Sequence, residues 1–160
     1  MSEEKKLTVK EAERYFAVEY YNAIWPLLEK KERTEEEKLT MIHMAHASYL
    51  HWSKVGTKVN FARGEWMLSR VYSIVNMAEP ALLHARRSVQ ICQENEIGDF
   101  DLVFAYEALS RAAACSGDKE LYSEYYHKAL EANELVKDEN DKKYCQSELD
   151  AEPWFGLKIE

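Results

Sequence analysis

Two Thr-x-x-Glu sequences, Thr8 to Glu11 and Thr34 to Glu37, each stand directly ahead of a run in which apolar residues recur every three or four positions. A capping box of this kind satisfies two orphan amides at a helix start, so the first third of the chain is committed to a pair of helices. In the first, Ala12, Phe16, Tyr20, Ala23 and Leu27 share one face, which is expected to be the buried one. Pro26 lies within this run, where it removes a backbone donor and is expected to bend or break the last turn. The second helix is expected from about Glu35 to Val55, with Gly56 as a left-handed cap.

The same spacing continues. A third helix predicted from about Val59 to Val75 turns Phe61, Leu68, Val71, Tyr72 and Val75 inward, and Gly64 permits close approach of a neighbour. A fourth begins at Pro80, presents Leu82, Ala85, Val89 and Cys92, and ends at Gly98. Asp99 or Asp101 is expected to cap a fifth, which carries Leu102, Ala105, Leu109 and Ala112 and stops at Gly117. Asp118 caps a sixth, and Asp138 opens a short polar seventh. No segment alternates with period two, and five Gly and three Pro in 160 residues are too few for a turn-rich sheet protein. The expectation is an all-α chain of about seven helices, stacked as antiparallel hairpins in a single domain. Its parts are an N-terminal hairpin at 8–55, hairpins at 59–95 and 99–136, and a capping helix with a tail at 138–160.

The run Gly117-Asp118-Lys119-Glu120-Leu121-Tyr122, followed by Tyr126 and Ala129, resembles the second half of a tetratricopeptide repeat. Tyr106, Leu109, Ser110 and Ala113 occupy the matching places on the helix before it. One repeat earlier, Glu65, Leu68, Ser69 and Tyr72, then Ala81, Ala85 and Ser88, take the corresponding positions. From Ala81 to Tyr122 the offset is 41 residues, against the family's usual roughly 34. The resemblance implies a right-handed superhelix of hairpins whose first helices line a concave surface. It places Arg63, Trp66 and Arg70, then Phe104, Glu107 and Arg111, on that surface. Three guanidiniums beside two aromatic rings offer bidentate donors and stacking faces to an acidic peptide or a chain end. The competing reading is structural: the same arginines pair with Glu65, Glu107, Asp99 or Asp101 and fasten hairpins together.

A second constellation, His46, His51, Trp52 and Glu65, would line a small-molecule pocket or active site between the N-terminal hairpin and the repeats. His43, His46 and His51 span roughly 140° of one helix, too wide for three ligands to converge, so no metal is expected. No cofactor motif, nucleophile with a base, or phosphate loop emerges, and no catalytic residue is assigned. The net charge of −8 argues against nucleic acid and an acidic membrane surface as partners. No run reaches the roughly 20 apolar residues of a membrane span. Cys92, Cys115 and Cys145 are widely spaced and expected to be reduced thiols, and the cytoplasm is the expected compartment. Trp154 and Phe155 are expected to fold back onto the body or to dock on a partner, a homodimer being one such arrangement.

Overall fold

The computed structural model describes residues 3–159. Among them are seven helices, α1 (Val9–Leu28), α2 (Glu35–Val55), α3 (Lys58–Ile74), α4 (Ala78–Glu94), α5 (Asp99–Ser116), α6 (Lys119–Glu134) and α7 (Glu139–Asp150). The main pairs are α1 with α2, α3 with α4 and α5 with α6, and α7 rests on α5 and α6. Odd-numbered helices also approach the next odd-numbered one along the backbone, whereas the described even-numbered helices meet only through side chains such as His46 and His84. Hairpins close together along one layer and splayed along the other make a curved stack, with α1, α3, α5 and α7 on its inner side.

Side-chain hydroxyls show that the 41-residue offset is structural. Ser69 Oγ donates to the carbonyl of Ala81, and Ser110 Oγ donates to that of Tyr122. Each bond crosses from the first helix of a hairpin to the second, between positions displaced by the same offset. Small residues at these seams (Ala81, Ala85, Ala105, Ala108 and Ala112) are all but fully buried and let the backbones approach.

Both Thr capping boxes form, and Asp118 and Asp138 cap α6 and α7 as expected. Pro26 does not end α1, which runs on to Leu28. The carbonyls of Leu27, Leu28 and Lys30 at this helix end instead accept from Arg33, at 2.6–2.7 Å.

Three expectations are corrected. Helix α1 buries Ala17 and Ile24, with Tyr21 and Leu28 beside them, and leaves Phe16 40% exposed. This face is one residue, about 100°, round from the Phe16 stripe. The helix carries apolar residues on both, and the Ala17 side allows close contact with α2, where Ser48 Oγ donates to Ala17 O. Gly56 is not left-handed, at φ −86°. It is required for space, because a Cβ there would stand 2.8 Å from the Trp52 carbonyl oxygen. Helix α4 ends at Glu94, and Gly98 precedes α5, so Asp99 and Asp101 lie in the first turn of α5 instead of capping it.

Trp154 is buried, and its ring packs against Tyr122 and Tyr126. The tail therefore completes a second core with Val103, Ala113, Ala129, Cys145 and Leu149. No described helix is long and apolar enough to cross a membrane.

Candidate functional site

The inner layer holds an aromatic recess of about 220 Å³. Pairs four residues apart build it, because such pairs lie one above the other on a helix. Helix α1 supplies Tyr21 and Trp25, α3 supplies Ala62 and Trp66, and α5 supplies Phe100 and Phe104. Tyr144 of α7 closes the far side. Trp66 is the centre of the set: it stacks on Trp25 at 5.7 Å and meets Phe104 edge-on at 5.4 Å. Its indole N–H donates to Glu107 at 2.8 Å, which fixes the ring. Burial holds the Tyr21 hydroxyl well above its ordinary pKa, so the wall it forms stays neutral.

Arg63 and Asp101 stand at the rim in a bidentate pair, with distances of 2.8 and 3.1 Å. The Arg63 guanidinium also lies 5.2 Å from the centroid of the Phe100 ring. It is held in place, and about 45% of its side chain remains exposed.

Beneath the recess the other predicted site residues form a buried ionic cluster. Arg111 and Glu107 are each 1% exposed, and Arg111 Nε donates to Glu107 at 2.6 Å. Arg111 also donates to the carbonyls of Glu148, Ala151 and Pro153, and its guanidinium sits over the Trp154 ring. Burial lowers its pKa to about 10, which leaves it charged at neutral pH. Arg111 thus fastens the tail, and neither it nor Glu107 presents a free face to a partner. Of the six residues expected on the concave surface, Arg63, Trp66 and Phe104 line the recess and Glu107 and Arg111 lie behind it.

The sixth, Arg70, lines a neighbouring basin of about 750 Å³ between the end of α1, the α1–α2 connection, α7 and the tail. Trp25 and Tyr144 line both hollows, so the two adjoin along the inner layer and together make up the groove. Burial, aided by the Glu107 carboxylate, raises the pKa of Glu148 at the basin wall.

His46, His51, Trp52 and Glu65 do not line a common pocket. His51 bonds Glu13 and stands against Phe16 and Tyr20 at the α1–α2 seam. Trp52 lies under Arg14. Glu65, 2% exposed, accepts from His84 Nδ1 at 2.6 Å and Arg87 Nε at 2.8 Å. His46 bonds the Tyr72 hydroxyl, and the Tyr72 ring lies parallel to His84. The result is a polar strap between α2, α3 and α4. No cluster of three or more His, Cys, Asp or Glu side chains among the described residues is arranged to hold a metal ion.

Tyr21, Trp25, Phe100, Asp101 and Tyr144 join the site without having been singled out for it. The four-residue spacings of Tyr21 with Trp25 and of Phe100 with Phe104 were the available signal. Comparison with family models, with curated proteins and with solved structures finds no match for the chain.

Proposed function

We propose that this chain is a protein-interaction module that holds a segment of a partner in the groove, with an apolar side chain of that segment seated in the aromatic recess. The observation that carries this reading is the recess itself: six aromatic side chains drawn from four helices around an open hollow, with a fixed ion pair at the rim. Seating a Phe-sized side chain there would contribute about 2–3 kcal/mol through loss of apolar surface from water. Ring edges and faces that are already locked add shape selectivity at little entropic cost.

The ion pairs redirect the recognition away from acidic groups. Arg63 is engaged by Asp101 and Arg111 by Glu107 and the tail, so shape and apolar contact dominate what the groove reads. The recurrence at 41 residues supports treating the stack as tetratricopeptide-like, a class suited to holding extended or helical segments along its inner face. Three free thiols fit a cytoplasmic setting.

The test is selection of a displayed random peptide library on the immobilised protein, run in parallel with Phe104→Leu and Arg63→Ala. The expected result is enrichment of segments with a large aromatic or aliphatic residue at one position, with the enrichment lost on Phe104→Leu. Absence of enrichment, or the same sequences from both variants, removes the reading.

A further inference from the structure

Three arginines in this chain differ in what accepts from them. Arg33 donates to three main-chain carbonyls at the end of α1. Arg111 donates to three at and beyond the end of α7. Both therefore cap a helix C-terminus, where the last carbonyls lack intrahelical partners. Arg70 stands one 41-residue repeat before Arg111. Beside it is Glu107, in the middle of α5, where the main-chain carbonyls are committed to the helix.

Arg70 is left unsatisfied. Its side chain is 9% exposed, and the nearest carboxylates, Glu107 and Glu148, lie at 3.6 and 3.8 Å. Its Nη1 is buried with no hydrogen-bond partner, and so is Glu148 Oε2. A buried guanidinium nitrogen without a hydrogen-bond acceptor is costly unless something completes the group, and Arg70 borders the basin.

We propose that Arg70 receives main-chain carbonyl groups of the bound segment, supplied by the C-terminal turn of a partner helix and docked as the end of α7 is docked on Arg111. The inference deepens the groove reading and rests on it for the ligand being a protein segment. Charge decides between a carbonyl and a carboxylate. Glu107 and Glu148 already face Arg70, so its charge is answered, and a further carboxylate would meet like-charge repulsion from both. A neutral carbonyl meets none. The basin is lined by Lys30, Lys31, Arg33 and Arg70 against Glu29, Glu148 and Glu152, and Lys30 is further paired with Glu37, so the cations and carboxylates around it balance. Since Trp25 and Tyr144 border both hollows, carbonyls on Arg70 come from the same stretch of chain whose side chain fills the recess.

The probe is N-acetylphenylalaninamide, which carries a ring and two neutral carbonyls, titrated into the full chain. The readouts are the ¹⁵N–¹H signals of the Arg70 side chain and of the Trp25 and Trp66 indoles. Sodium N-acetylphenylalaninate and sodium phosphate at matched ionic strength form the comparison arms. The amide is expected to move all three signals saturably, and Arg70→Gln to weaken binding at least fivefold with unchanged far-ultraviolet circular dichroism. Arg70→Lys, which keeps the charge and loses the planar fork, is expected to lose as much, and serves if the Gln variant does not fold. Indole shifts with a silent Arg70 and full affinity in the variants overturn the carbonyl site and leave the recess standing. Silence of all three signals overturns both. Response of Arg70 to the carboxylate or phosphate alone makes it an anion site and overturns the inference.

Discussion

The guanidinium of Arg111 lies 4.0 Å from the centroid of the Trp154 ring, with both groups buried. One side chain thereby joins the middle of α5 to a tail some forty residues further on. It also neutralises Glu107, which in turn orients Trp66. The integrity of the recess and the position of the tail thus depend on the same charge.

Replacing Arg111 with Met is expected to cost about 3–5 kcal/mol, because Glu107 would be left buried with its nearest cation gone. Trp154→Ala is expected to cost a similar amount through lost packing. Because the two residues touch, the double variant should lose less than the two costs added together. Urea unfolding of the four proteins checks this, and a loss under about 1 kcal/mol for Arg111→Met would contradict the role given to it.

Acid should weaken the α3–α4 connection through Glu65. Burial alone would raise its pKa, but hydrogen bonds from His84 and Arg87 outweigh burial and hold it below the ordinary 4.5. The native state therefore binds this proton more weakly than the unfolded chain. The stabilisation is complete above pH 4.5 and is lost as pH falls through the lower native value. Glu65→Gln should cost about 3 kcal/mol at pH 7 and show a shallower acid limb between pH 5 and 3 in unfolding experiments.

Gly64 marks where α2 and α3 approach. A Cβ there would stand 2.7 Å from Cδ2 of Tyr49. The overpacking cost of about 1–3 kcal/mol should exceed the roughly 1 kcal/mol that alanine gains over glycine in a helix. Gly64→Ala is thus expected to be net destabilising by about 1 kcal/mol, and to become stabilising in a Tyr49→Ala background. An unchanged sign in the double variant would show that the ring is not the obstacle.

The three thiols should separate by reactivity. Burial raises Cys92 and Cys145 to about 12, while Cys115 is only half buried and also raised. At pH 8 the thiolate fraction of the first two is then of order one in ten thousand. Ellman's reagent should label Cys115 slowly and the other two only on unfolding. Fast native labelling of Cys92 or Cys145 would mean that the hairpins open readily.

What the sequence made legible follows from how far each signal reaches. Capping by Thr8, Thr34, Asp118 and Asp138 is local, so the helix starts at these residues could be read directly. The buried face of α1 was ambiguous because Phe16 and Tyr20 are as apolar as Tyr21 and Ile24, and only packing against α2 distinguishes the stripes. Trp66 and Phe104 were expected on the inner face because the tetratricopeptide resemblance places their positions there. Trp25 and Tyr144 come from the two ends of the chain, and no local pattern announces that they share a hollow. Burial of Arg111 was hidden for the same reason, since the cover is supplied by Trp154. His46 and Glu65 were expected to line one pocket, but His84 and Tyr72 stand between them, which no spacing in the sequence announces.

The groove between Trp25 and Tyr144 is the gap of a caliper whose jaws are the first and last helices and whose frame is every hairpin junction between them. A slight rotation at one junction is carried along the frame to the jaws. The width presented to a ligand therefore registers the summed pitch of the stack, and tightening or loosening a seam as remote as Ser69 on Ala81 would be measurable as a change in what the gap admits.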